Sequence, residues 1–152
     1  MIERASQRPR ITVATVVARA GALLFVEEES PDGLVLNQPA GHLEAGESLI
    51  QAAARETLEE SAWTVSLTHI VGIYQWRTDA GVEYVRVGFA AEPISHDPQR
   101  TLDTGIQRAL WLTPAQMRAD RSRLRSPMVE ALVNDWLAGV RYPLELLCTF
   151  QP

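Results

Sequence analysis

Apolar and polar positions along this chain follow two periods. From Ile11 to Ala18 (ITVATVVA) the residues are β-branched or small without interruption, and after Gly21 a second apolar run, ALLFVEE, covers Ala22 to Glu28. Short apolar runs meeting at a glycine predict two buried strands joined as a hairpin. Ser30 to Gly33 (SPDG) is a turn, and Leu34 to Gln38 (LVLNQ) a short strand leading to Pro39 and Gly41. The period then becomes helical from Ser48, with Gln51 three positions later in capping-box spacing. That helix points Ile50, Ala54, Thr57 and Leu58 toward a sheet and gathers Glu56, Glu59 and Glu60 on another side. TVSLTHIVGIYQW (64–76) and the alternating VEYVRVGFAAE (82–92) predict a second strand pair across the turn RTDAG. Residues 93–105 are polar and predict a loop, and Ile106 to Thr113 a last strand. Pro114 opens a short helix, and a longer one is capped by Ser126 and ended by Gly139. Trp111 and Trp136 fall at core positions. The order β-β-β-α-β-β-β-α-α predicts an α/β (α+β) architecture, a mixed sheet with helices packed on it.

Composition narrows the functional classes. The 152 residues are 46% hydrophobic and 22% charged, ordinary values that predict one globular domain over 1–152 with residues 1–9 as a loose tail. A net charge of -5 disfavours binding to a nucleic-acid polymer. No apolar run approaches a membrane span, and MIERASQRPR lacks the apolar stretch of a secretion signal. The single cysteine, Cys148, has no intrachain partner, which suits a reducing compartment. A cytoplasmic location is expected.

The acidic helix raises the functional question. Glu56, Glu59 and Glu60 sit at i, i+3 and i+4, and Glu47 precedes them in the entering loop. Carboxylates at this spacing repel by a few tenths of a kcal/mol per pair, more where water is excluded. Arg55 offsets part of that charge. Several carboxylate oxygens converging on one point are what a hard divalent cation requires, although a solvated acidic face would show the same spacing.

The wider pattern decides between these readings. Gly41, Glu47, Arg55, Glu56, Glu59 and Glu60 fall in the register G-x5-E-x7-R-E-U-x-E-E-x-G-U, where U is a bulky apolar residue. At roughly 5–7% usage per residue type, six such matches arise by chance about once in ten million starts. The segment resembles the signature of the Nudix hydrolases. It departs from it at Thr57 and Trp63, where aliphatic residues are usual, and at Ala62, where glycine is usual. Further stretches, NQPAGHLEAGESL, Gln75–Trp76, Leu124–Pro127 and Arg141–Glu145, resemble a bacterial phosphatase subgroup of that family.

The resemblance implies a Nudix α/β/α sandwich and a Mg2+-dependent hydrolase of phosphoanhydride bonds, with Mn2+ as an alternative ion. The subgroup likeness implies nucleoside di- and triphosphates and thiamine-type pyrophosphates as substrates, with orthophosphate released. It also implies metal binding by Glu56, Glu59, Glu60 and the Ala40 carbonyl, with Arg55 and its partner Glu47 holding the acids. Glu59, Glu60, Glu83 and Asp103 are the candidates for general base. His42, Glu44, Trp76 and Arg86 are candidate substrate contacts, with Arg10 and Arg77 as further phosphate-binding cations. Trp76 either stacks on a substrate ring or packs in the core. Other nucleoside-diphosphate-linked substrates and a non-catalytic ligand sensor are the alternatives, and both a monomer and a homodimer fit.

Overall fold

The hairpin expected at Gly21 joins β1 (Arg10–Arg19) to β2 (Ala22–Ser30) through Ala20 and Gly21, at φ 48° and 79°. Positive φ at both central residues gives the turn whose twist matches its strands. The structure, a computed structural model, describes residues 8–151, so residues 1–7 of the expected tail lie outside the described residues. β1 has three neighbours. Its end pairs with β2 at Ala18↔Leu23, its start pairs antiparallel with β4 (Ala40–His42), and most of its length pairs parallel with β6 (Glu83–His96). β5 (Trp63–Arg77) lies antiparallel to β6, and β2 is flanked by β3 (Gly33–Asn37) and β7 (Ile106–Leu112). The result is a seven-stranded mixed sheet.

Strand alternation sends successive residues of β1 to opposite faces. Val13 packs with Ile70, Val87 and Phe89 against Ala52 and Ala53 of α1 (Leu49–Ser61). Ala14 and Val16 pack on the other side with Val129, Leu132 and Val133 of α3 (Pro127–Leu137) and Met117 of α2 (Pro114–Ala119). Helices therefore cover both faces, the α/β/α sandwich expected. Trp111 is half-buried beside Val17 and Leu24, and Trp136 half-buried beside the α3 core.

Three local expectations change. β4 is a strand of only three residues, too short to carry a periodicity, and pairing with β1 creates it. β6 runs on through Pro93–His96, which the polar sequence predicts as loop, because Trp63 pairs with His96 and their ring centroids lie 4.9 Å apart. On α1 the buried residues are Ala52, Ala53, Thr57, Glu60 and Ser61, whereas Ile50, Ala54 and Leu58 are half-buried. The helix is rotated so that small residues meet the sheet closely, and this carries Glu60 inward.

Two departures from the signature find physical partners. The Thr57 hydroxyl donates to the Ala53 carbonyl at 2.7 Å and lies 2.8 Å from the Thr15 hydroxyl, both residues fully buried. With Thr57 donating to Ala53, Thr15 donates to Thr57. Ala62 ends α1 at φ 61°, ψ 15°, its N–H bonded to the Leu58 carbonyl, so the left-handed exit survives without glycine.

Thr57→Val should destabilise the protein by about 1–2 kcal/mol in denaturant unfolding, because it strands the buried Thr15 hydroxyl. The Thr15→Val/Thr57→Val double variant should cost clearly less than the sum of the singles. Strict additivity would show that the two hydroxyls do not interact.

Candidate active site

The loop between β4 and α1 delivers the acids. Ser48 caps the helix, accepting from the Gln51 N–H at 3.1 Å, while the Ser48 N–H donates to Gln51 Oε1 at 2.8 Å. With the helix start fixed, Arg55 reaches back across the loop. Its Nε and Nη2 donate to the two oxygens of Glu47 at 2.9 and 2.7 Å, and Nη2 also donates to the His42 carbonyl at 3.1 Å. Nη1 donates to Glu56 at 2.8 Å and Glu59 at 3.1 Å. The exposed Glu44 carboxylate lies 3.6 Å away. The Arg55 hydrogen bonds hold Glu47 below the usual carboxylate range, and Glu47 in return pushes the guanidinium up.

Glu56 is pressed against the backbone. A Cβ at Gly41 would lie 2.1 Å from the Glu56 carboxyl carbon, so this carboxylate occupies the space that any other residue at 41 would fill. Burial raises its pKa despite Arg55, with Glu59 and Asp103 adding repulsion. Glu60 lies deeper, and its Oε1 accepts from the Ala40 N–H at 2.8 Å. Burial, then the neighbouring Glu28, Glu56 and Asp103, push it up to about 8.

Glu56, Glu59 and Asp103 each place a carboxylate oxygen within 4.8 Å of the others. Asp103 comes from the loop before β7, and its N–H donates to the Glu59 carbonyl at 3.0 Å. The loop is thereby tied to the last turn of α1. The structure thus brings Asp103 to two of the acids assigned to metal in the sequence, while Glu60 faces the Ala40 amide. Three hard oxygens in mutual repulsion, one wedged against a glycine, suit a divalent cation.

Beside this cluster opens a cleft of about 1050 Å³, and His42, Glu44, Glu56, Glu60, Trp76 and Arg86 all line it. Trp76 is half-buried and stacks on Tyr84 at 5.8 Å, so it belongs to the cleft wall. Arg86 is only 5% exposed, and burial lowers its pKa to about 10. Its Nη1 lies 3.4 Å from the side-chain oxygens of both Asn37 and Gln38. Arg10 sits over the Tyr84 ring at 5.7 Å. Arg77 is exposed and paired with Glu83, which does not line the cleft. Sequence reasoning missed Asn37, Gln38 and Thr12. The amide pair could have been found, since NQ ends a strand at positions that are otherwise apolar, and Gln38 anchors α3 by donating to the Val129 carbonyl at 2.8 Å. The signal at Thr12 is weak, because threonine is at home in any strand.

Comparison with known proteins agrees with this geometry. The NUDIX domain model matches residues 7–132. Phosphatase NudJ of Escherichia coli K12 is 37% identical over 144 residues, covering 95% of this chain and 94% of the relative. A Nudix hydrolase structure from Nitrosomonas europaea superposes with a TM-score of 0.92 at 43% identity, covering 94% of this chain and 98% of that one. More distant folds match as well, among them a C. elegans Ap4A hydrolase complex at TM-score 0.64 and 20% identity, over 86% of this chain and 96% of that one. The chain belongs to the Nudix hydrolase family, as a hydrolase acting on phosphoanhydride bonds.

Proposed function

We propose that this protein hydrolyses nucleoside di- and triphosphates and thiamine-type pyrophosphates in a Mg2+-dependent reaction that releases orthophosphate. The observation that carries the reading is the convergence of Glu56, Glu59 and Asp103 at the edge of an open cleft. The 37%-identical relative is a phosphatase by name, which supports the terminal-phosphate form of it.

Glu56, Glu59 and Asp103 would hold the cation, with the Ala40 carbonyl as a further candidate donor. A divalent ion held there would neutralise phosphate charge and acidify a bound water. Arg55 keeps three carboxylates oriented through its hydrogen bonds, a positioning role. Glu60 is the favoured general base. Its Oε1 is engaged by the Ala40 N–H, which leaves Oε2 to take a proton from an attacking water. His42 and Glu44 border the phosphate end of the cleft, and the remaining volume takes the organic group. Exposed Cys148, with no helix among the described residues long and apolar enough to cross a membrane, accords with a cytoplasmic enzyme.

Phosphate release should vanish with a chelator and return with Mg2+, and Glu56→Gln should lower kcat by more than about 100-fold, the scale of losing one essential charge-stabilising group. Near-normal turnover by that variant would remove Glu56 from the site.

Without cation, Glu60 gives a pH signature. Its folded pKa of about 8 lies above the ordinary value of 4.5, so between these limits the folded state holds a proton that the unfolded state has released. Stability must then fall as pH rises through this window. Chelated protein should melt at lower temperature at pH 8.5 than at pH 5.5, and Glu60→Gln should recover at least about 2 °C of the difference. An unchanged difference in the variant would show that Glu60 is not the group responsible.

The bond broken is read by ³¹P NMR of GTP hydrolysis. Orthophosphate with GDP, then GMP, is expected. Pyrophosphate with GMP from the first turnover would overturn attack at the terminal phosphorus.

A further inference from the structure

The stretch Arg141–Glu145 lines no part of the acid-bearing cleft, yet its path is closely fixed. Arg141 Nη1 donates to the Trp136 and Val140 carbonyls at 3.1 and 2.7 Å, and its guanidinium lies over the Trp136 ring. Tyr142 then pairs with Ile70 of β5 through two backbone hydrogen bonds, 2.8 and 2.9 Å long. β5 is the outer strand beside β6, so this pairing carries the chain around an open sheet edge. Trp136 packs in the α3 layer, whereas Leu144 and Leu147 pack in the α1 layer. The segment after α3 therefore crosses from one face of the sheet to the other. What it meets there is the start of α1. The rotation that turns Ala52 and Ala53 onto the sheet leaves Leu49 and Ile50 half-buried, as is Leu43 ahead of the loop. These three share one apolar cluster with Leu144 and Leu147.

We propose that Leu144 and Leu147 are positioning residues for the carboxylate site, fixing the loop before α1 so that Glu47 meets Arg55. Leu43 and Leu49 bracket that loop, and its polar contacts run through Glu47. The Glu44 N–H donates to Glu47 Oε1 at 2.8 Å, and Arg55 binds both Glu47 oxygens. Gln151 Nε2, from the same segment as the two leucines, also reaches the Gly46 carbonyl at 3.4 Å. Apolar cover at both ends of the loop keeps Glu47 where the guanidinium can grip it. Arg55 then orients Glu56 and Glu59, so cation affinity depends on two leucines that do not line the cleft. The consequence for affinity rests on the proposed cation site, whereas the hold on Glu47 exists without it.

The test compares the wild type with Leu144→Ala/Leu147→Ala, first in chelated protein. Hydrogen exchange at Arg55 Nε–H and at the Glu44 amide, both bonded to Glu47, is followed by NMR. It should quicken about 10-fold in the double variant, as a local opening of the loop. Two controls separate positioning from stability. Leu146→Ala trims the exposed neighbour in the same turn, and Val133→Ala lowers melting temperature through the α3 layer. Both should leave this exchange within about twofold, since neither opens the loop. Mn2+ binding, read by EPR of the free ion, should weaken about 5-fold or more in the double variant alone. Unchanged exchange or unchanged Mn2+ affinity in the double variant, or an equal effect of Val133→Ala, would overturn the positioning role. Leu147→Ala alone carries the same comparison if the double variant fails to fold. Quickened exchange in a protein whose wild type binds no Mn2+ would leave the hold on Glu47 standing and count against the cation reading alone.

Discussion

The guanidinium of Arg55 is the contact on which the acidic face depends. It engages Glu47 through both carboxylate oxygens and Glu56 and Glu59 through a single nitrogen, and it also holds the His42 carbonyl. Helical spacing alone would let the glutamates splay into water to relieve their repulsion. One planar cation with fixed donor directions holds them converged, which a lysine, with its single flexible point charge, would not. Because Glu47 and His42 lie in the segment before the helix and Glu56 and Glu59 on it, the same group also fixes how the loop enters α1. Packing of the acids and geometry of the loop are therefore one problem with one solution.

That solution asks for specific permissions from the backbone. Gly41 gives up its side chain so that Glu56 can lie against the chain. β4, only three residues long, pairs with β1 so that the Ala40 N–H points at Glu60. At the far end of α1 the chain leaves through Ala62 in the left-handed region, and the Asp103 amide bonds the Glu59 carbonyl in that last turn. A third carboxylate thereby joins the cluster from a segment more than forty positions away, without disturbing helical register. Both ends of one short helix are thus committed to the site, and the small residues on its inner face let it sit close enough to the sheet for Glu60 to be buried.

Much of this is legible in the sequence because it is local. The capping box at Ser48, the Arg55 partners within the same helix and loop, and the strands of the two hairpins are all encoded by residues a few positions apart. What escapes reading is set by tertiary pairing. β4 carries no periodicity of its own, and Pro93–His96 read as loop because nothing nearby announces the Trp63 ring that pairs with His96. The orientation of α1 is the instructive case. Hydrophobicity favours turning Ile50 and Leu58 inward, yet close approach of Ala52 and Ala53 and the Thr15–Thr57 hydrogen bond rotate the helix otherwise. Glu60 consequently leaves the solvent-facing cluster in which spacing alone would place it, and Asp103 meets Glu56 and Glu59 instead.

The two walls of the cleft then differ in kind. The carboxylate wall is held by the Arg55 guanidinium and the Ala40 N–H, and its remaining instability is electrostatic, of the sort a cation removes. The opposite wall is under-determined. Asn37, Gln38 and Trp76 have partners within the protein, while Thr12 Oγ1 and Arg86 Nε are enclosed without one. On the proposed reading, the charged wall would locate the phosphoanhydride and the remaining cleft would take the organic group. Substrates sharing one diphosphate end would then differ only in contacts away from the acids, leaving Glu56, Glu59, their guanidinium and the glycine beneath them untouched.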